Sequence, residues 1–194
     1  LMATWFAGVL RDGFALTAAG AYADFPDVAA DGLRGLLTAL PGWDGDVDHA
    51  TAHIMDGFAD LGVHPDVPDG VRALHAAGLR LATLTNGSTA ITERLLSQAG
   101  LTEYFSALLD VSAPRAWKPA LAAYRYATDT MAADPAETLL VAVHPWDVDG
   151  ARRAGLQAAW LRRGATAYPS VLTAPNRTAA DLRELAQDLV AAAS

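Results

Sequence analysis

Cysteine is absent from the 194 residues, which excludes a disulfide framework, a thiolate zinc site and a cysteine nucleophile. Positive charge is scarce too: 14 Lys and Arg stand against 22 Asp and Glu, for a formal net charge of −8. Binders of nucleic acid usually carry a basic face, so that partner is not expected. No apolar run reaches the roughly eighteen residues of a membrane span, so no membrane partner is expected either. The opening "LMATWFAGVL" lacks the basic leader and the cleavage site of a signal peptide. A cysteine-free chain of this kind suits a reducing cytoplasm, which is the expected location. Internal repeats and low-complexity segments are lacking as well, apart from a general richness in alanine. What remains is a chain long enough for one domain, or for a core with a small insert. At this size a fold buries roughly 70% of its unfolded surface and needs neither disulfide nor metal to hold together.

The first 62 residues read as helical throughout. Trp5, Val9, Leu10, Phe14 and the stretch Leu16 to Ala19 recur at helical spacing, and Gly20 can end that helix. Asp24 to Asp27 suggest a turn around Pro26, a second helix is expected from about Val28 to Leu40, and a third from about Val47 to Leu61. From residue 63 onward the pattern changes to alternation. Strands are expected at 79–86, 105–111, 138–144 and 156–163, and helices at 71–77, 89–98, 119–131, 148–154 and 179–192. Strands alternating with helices indicate a parallel sheet covered on both faces. In such sheets ligands bind beyond the carboxyl ends of the strands. The residues to inspect are therefore Thr85–Asn86, Asp110, and His144 to Asp147.

Three of these stretches carry chemistry. "TLTNGST" (83–89) puts Thr85 and Asn86 at a strand end, Gly87 in the turn, and Ser88 or Thr89 where a helix cap belongs. Backbone N–H groups at a helix start beside a hydroxyl suit a carboxylate or a phosphate, although Asn-Gly is also ordinary turn chemistry. In "WKPALAAYRYA" (117–127), Lys118 precedes a proline suited to the first helical position, with Tyr124 beyond it. A lysine there can neutralise a catalytic carboxylate; the plain alternative is a solvated loop lysine. "HPWD" (144–147) closes the most apolar strand. Asp147 can deprotonate a water or cap the following helix, and Trp146 can wall an apolar pocket or belong to the core. Two metal-like patterns fail. "DGDVDH" (44–49) lacks the glycine and glutamate of a calcium loop, and His49 and His53 lack the glutamate of a zinc-protease helix.

Together, Thr85-Asn86-Gly87, Lys118-Pro119 with Tyr124, and Trp146-Asp147 resemble the haloacid dehalogenase superfamily, and within it the type II L-2-haloacid dehalogenases. The resemblance covers nearly the whole chain. It implies an α/β fold: a Rossmann-like parallel-sheet core over residues 63–194 and a helical cap over residues 1–62. It implies hydrolysis of short 2-haloalkanoic acids through an aspartyl ester, with a small-molecule substrate, no cofactor and no metal, and it leaves a homodimer open. By resemblance, Thr85 and the Asn86 backbone hold the substrate carboxylate, Lys118 stabilises a nucleophilic aspartate and Asp147 activates water. Tyr124 supports the site, while Phe25, from "YADF", Trp146 and His144 stand at the pocket. Thr85 replaces a serine, Ala142 a serine and His144 an asparagine of the family pattern.

One element of that pattern has no match. The family's nucleophilic aspartate ends a first strand and is followed by Gly-Thr; "RDGFALT" (11–17) offers Asp-Gly only inside a helical pattern. The resemblance therefore implies a chain that starts within the cap and is inactive as it stands. It also implies a sheet whose central strand, between 79–86 and 138–144, is missing. Two rows of backbone groups would be left to close up, borrow a strand or stand open, with poor stability or self-association expected. Two rival readings stay open: a non-catalytic fragment or pseudoenzyme of the same fold, and, less favoured, a magnesium-dependent phosphatase. The last is disfavoured because Val143 stands where an acidic metal ligand is usual.

Overall fold

The computed structural model describes residues 1–164 and 167–193. Three helices come first: α1 (Met2–Ala18), α2 (Phe25–Thr38) and α3 (Val47–Ala59). In α1 the buried residues Trp5, Val9 and Gly13 are four apart and form one stripe. The Trp5 indole donates to the Ala29 carbonyl at 2.8 Å, fixing α1 against α2. Helix α2 starts at Phe25, earlier than expected, because Asp24 is extended and Pro26 fits the first helical turn. Gly20 adopts φ 73°, the left-handed conformation in which a helix end favours glycine. His49 and His53 are exposed on α3.

The remainder alternates: α4 (Val67–Ala76), β1 (Leu81–Thr85), α5 (Thr89–Gln98), β2 (Phe105–Asp110), α6 (Leu121–Thr130), β3 (Leu139–Ala142), α7 (Pro145–Arg153), β4 (Gln157–Leu161), β5 (Arg177–Ala179) and α8 (Leu182–Ala193). Every strand pair is parallel, as the alternation predicts. Three expectations need correction. Pro119 is not the first residue of a helix: the Lys118–Pro119 peptide is cis, and α6 begins at Leu121 after an extended Ala120. Helix α7 begins at Pro145, so His144 takes the N-cap position and Asp147 lies inside the first turn instead of capping it. Residues 177–179 form a short strand, and the last helix starts at Leu182 rather than Ala179.

The strands do not form one continuous sheet. β1 pairs only with β2, while β3, β4 and β5 form a second sheet in that order. Between β1 and β3 runs a cleft of about 500 Å³, lined by residues 81–84 of one strand and 139–141 of the other. β4, paired on both edges, is buried from Ala158 to Leu161, whereas β1 and β3, paired on one edge each, are mostly half-buried. Among the described residues, β1 and β3 do not close up on each other.

Below the sheets, Leu74 of α4, Leu96 of α5 and Leu185 of α8 share an apolar cluster with Ala159 and Leu161. A buried ion pair closes this layer. Asp66 accepts from both terminal nitrogens of Arg163, at 2.7 and 2.6 Å, and from the Leu182 N–H at 2.8 Å. The Arg163 guanidinium holds the Asp66 carboxyl well below the usual carboxylate range. Above the sheets, Trp5, Val9, Phe25 and Leu33 of the helical layer share a second cluster with Val111, Trp117 and Ala123. Helices 1–3 thus rest on the carboxyl ends of β1 and β2, over the residues singled out for chemistry.

Candidate active site

The carboxyl end of β1 turns into α5 through Thr85 to Ser88. Ser88 caps α5 by accepting from the Ile91 N–H at 3.4 Å, which settles the choice between Ser88 and Thr89. The Thr89 N–H instead donates to Asp110 at the end of β2, at 3.0 Å. Burial alone would raise the Asp110 carboxyl, but bonds from Ser112 and Thr89 outweigh it and hold the group below its ordinary value. Asp110 ties strand ends together and does not line the pocket. Thr85 Oγ1 accepts the Gly87 N–H at 2.9 Å, so its own proton is free to point elsewhere. Asn86 does something the sequence did not suggest. Its side chain donates to the Lys118 carbonyl at 3.1 Å and accepts the Lys118 N–H at 2.8 Å. That pair of bonds fixes the backbone of the Lys118 loop.

Held this way, Lys118 extends into the protein instead of into water; it is 8% exposed. Its ammonium donates to Asp147 Oδ2 at 2.7 Å and to the Leu84 carbonyl at 2.8 Å. The other carboxylate oxygen, Oδ1, accepts the Tyr124 hydroxyl at 2.7 Å. Tyr124 is fully buried, and burial together with the Asp147 charge pushes its phenol far above the ordinary value. It therefore stays a donor. Gly150 makes this arrangement fit, since a Cβ there would lie 2.5 Å from the Tyr124 hydroxyl oxygen and 2.6 Å from Pro119 Cβ. The close approach of α7 to α6 needs glycine at that position.

The other half of the pocket is apolar. Phe25 stacks between Phe58 and Trp117, with ring centres 5.7 and 5.9 Å away. His144 stacks on Trp146 at 5.2 Å and on Phe6 at 6.1 Å, and Trp146 meets Phe14 edge-on at 5.0 Å. Burial lowers the His144 imidazole below its ordinary value, outweighing the attraction of Asp147. A neutral ring suits a stack between two aromatic neighbours.

Thr85, Asn86, Lys118, Asp147, Phe25, His144 and Trp146 line one cavity of about 350 Å³, and Tyr124 stands behind Asp147. All eight residues named from the sequence are thus brought to one place. Six apolar wall residues were not foreseen: Phe6, Leu10, Phe58, Leu61, Ile91 and Leu95. Phe6 and Leu10 are four apart in "TWFAGVL", beside the stripe of Trp5 and Val9, and that second stripe was the available signal. Among the described residues, Asp147 is the one carboxylate lining this cavity. Also among them, no group of three metal-ligating side chains occurs, and no helix is long and apolar enough to cross a membrane. The site combines a fixed cation, a carboxylate held at both oxygens, a hydroxyl at a helix start and an aromatic wall. It suits a small acid with an apolar body.

Residues 10–155 match the family model of haloacid dehalogenase-like hydrolases. The chain is 30% identical over 166 residues to the (S)-2-haloacid dehalogenase of Pseudomonas sp. (strain YL), covering 86% of this chain and 71% of that protein. It is 30% identical over 160 residues to haloacetate dehalogenase H-2 of Moraxella sp. (strain B), covering 82% and 70%. Among solved structures it resembles L-2-haloacid dehalogenase RSc1362, with TM-score 0.88 and 30% identity over 95% of this chain and 82% of that one. It also resembles the L-2-haloacid dehalogenase of Xanthobacter autotrophicus with chloropropionic acid covalently bound. There the TM-score is 0.84 and the identity 26%, over 95% of this chain and 83% of that one.

Proposed function

Because the chain belongs to the haloacid dehalogenase-like hydrolases, we propose that its pocket serves the hydrolytic dehalogenation of short 2-haloalkanoic acids. The observation that carries this reading is the Lys118–Asp147 pair, buried beside a helix-start hydroxyl and facing an aromatic wall. The substrate carboxylate would take the Thr85 hydroxyl and the Asn86 backbone N–H, and its alkyl body the wall of Phe25 and Trp146. In the first step a carboxylate oxygen attacks C2, the carbon–halogen bond breaks, and halide leaves with the bonding electrons. In the second, Asp147 takes a proton from water, the hydroxide attacks the ester carbonyl, and the acyl–oxygen bond breaks to release the 2-hydroxy acid. Lys118 offsets the carboxylate charge in both steps. Division into a cap over residues 1–62 and a core over 63–194, a cytoplasmic setting and a homodimer belong to the same proposal.

The roles differ in what supports them. Asp147 is engaged by Lys118 and Tyr124 at both oxygens, which suits a base held in place. The displacement step then needs a second carboxylate beside Lys118, and the described residues place none in the cavity. The 194-residue protein is therefore expected to bind haloacids without turning them over. The specific observation of a single pocket carboxylate also keeps the non-catalytic reading alive, with the same ligand and no chemistry.

The test is direct. (S)-2-Chloropropionate is added to the purified protein, binding is followed by tryptophan fluorescence, and chloride release by ion chromatography. Binding that weakens in Thr85→Val, with no chloride released, is the expected result. Chloride release by the unaltered protein, with an ester trapped on its Asp147 and both lost in Asp147→Asn, would make Asp147 the nucleophile and overturn the assignment. Absence of binding would remove the haloacid reading.

A further inference from the structure

Trp117 does not line the acid pocket, yet it joins two of its walls. The residue is fully buried. Its N–H donates to Thr17 Oγ1 at 3.1 Å, and its indole N–H to the Ala23 carbonyl at 3.0 Å. Both acceptors belong to the helical layer, one near the end of α1 and the other in the turn into α2. The next residue is held from the opposite side: the Lys118 N–H donates to Asn86 Oδ1 at 2.8 Å, beyond the end of β1. Two consecutive amides are thus gripped by two different layers.

The indole ring continues the grip. It lies over Gly13, where a Cβ would come within 2.3 Å of it. It also stacks on Phe25, with ring centres 5.9 Å apart and planes 26° from parallel, and Phe25 is a wall of the cavity. Two residues earlier, the Arg115 guanidinium lies 5.0 Å over the Tyr22 ring. Arg115 has φ 50°, a left-handed conformation that a non-glycine residue keeps only where its surroundings over-determine it. Residues 115–117 therefore clasp residues 13–25 of the helical layer, and the chain passes from that clasp directly to Lys118.

We infer that Trp117 is a positioning residue of the acid site, setting the Phe25 wall in register with the Lys118 ammonium without touching the ligand. This role rests on the haloacid reading of the pocket. Asn86, Leu84 and Asp147 fix Lys118 to the core, whereas Phe25 arrives on α2. Trp117 is joined to the first by the chain and to the second by the stack, so it carries the position of one across to the other. An acid whose carboxylate lies at Thr85 and Asn86 and whose body lies on Phe25 needs both walls at a fixed separation. Supporting hydrogen bonds and packing hold such a constellation to within about 0.5 Å. Thr17 and Ala23 act on the site only through Trp117.

The test titrates (S)-2-chloropropionate into the full 194-residue protein by calorimetry. Lysine occurs once in the chain, so protein grown on lysine labelled with ¹⁵N at Nζ gives one side-chain signal, that of Lys118. A shift of that signal at saturation places the acid beside the ammonium. Thr17→Val removes the acceptor of the Trp117 N–H, and Trp117→Phe removes the indole donor while keeping a ring against Phe25. Each should weaken binding about five- to tenfold, the upper end being the net worth of one hydrogen bond. Thr17→Ser, which keeps the oxygen, should restore the affinity. Leu185→Val, in the cluster below the sheets, serves as a control that lowers the urea midpoint without loosening the clasp, and its affinity should stay unchanged. Should Trp117→Phe fail to fold, the valine and serine variants of Thr17 decide alone. Full affinity in Thr17→Val, equal weakening in Leu185→Val, or binding that leaves the Lys118 signal unmoved would overturn the role of Trp117. No binding by the unaltered protein would remove the haloacid reading and this role with it, whereas binding indifferent to the clasp would remove the role alone.

Discussion

Replacing Lys118 by methionine tests the central feature of the site. The Lys118 and Asp147 side chains are 10% and 6% exposed, with 2.7 Å between charged atoms. Taking away one member of such a pair leaves a buried charge without its partner, which costs about 3–5 kcal/mol. That is a large part of the roughly 5–15 kcal/mol that holds a domain together. The Tyr124 hydroxyl still bonds Asp147 Oδ1, so the loss should fall toward the lower end of that range. Lys118→Met also frees the Leu84 carbonyl, which water can satisfy from the cleft. Asp147→Leu should cost a similar amount by stranding the ammonium. The two together should cost far less than the sum, because an apolar pair of similar volume is often neutral or stabilising. Urea denaturation followed by circular dichroism gives all four stabilities, and the cycle should return a coupling energy of several kcal/mol, about 6 where the double variant is neutral. A Lys118→Met loss below about 1 kcal/mol, the range of exposed pairs, would show that water reaches the pair and that the site is not closed as described.

Gly13→Ala should destabilise by about 1–3 kcal/mol, since its Cβ would lie 2.3 Å from the Trp117 ring; Gly8→Ala in the same helix, with nothing near its Cβ, should instead gain up to about 1 kcal/mol in thermal or urea melts. Tyr124→Phe removes a hydrogen bond to a charged group and should cost about 1.5–3 kcal/mol in urea melts, and Gly150→Ala, which displaces the same hydroxyl, should lower stability by a comparable amount. The pH dependence of stability should carry a signature of His144, whose folded pKa lies below the unfolded value of 6.5. The unfolded chain then binds the extra proton first, so this contribution is complete above pH about 6.5 and is lost as pH falls toward the lowered folded pKa. His144→Phe, which keeps the stack, should flatten that part of the curve, and an unchanged slope would show that the ring is not held neutral.

The helices over residues 2–59 were legible because Trp5, Val9 and their successors repeat at the helical period, and a period survives whatever the tertiary context. The longer strands were legible as short apolar runs, and the site as the set of strand ends that a parallel sheet brings together. What escaped was set by distant contacts. β5 is three residues long and exists because Asn176 exchanges bonds with the Ala158 backbone, its N–H to the carbonyl and its side-chain oxygen to the N–H, both at 2.8 Å. The use of the Asn86 side chain on the Lys118 backbone joins residues 32 apart. The wall of Phe6, Leu10, Phe58 and Leu61 depends on how the helical layer docks, which local pattern does not encode. His144 was expected at the pocket, but its place in a row of aromatic rings follows from α1 lying across the end of β3.

The cleft and the pocket meet at one group. Lys118 sits on the loop that leads from β2 to α6, yet its ammonium touches β1 through the Leu84 carbonyl and α7, which follows β3, through Asp147. It therefore spans the two halves of the divided sheet at their carboxyl ends, and Asn86 anchors its backbone to the end of β1. The Leu84 carbonyl lies on the edge of β1 away from β2, and the ammonium occupies it, so one side chain both closes that strand end and orders the pocket.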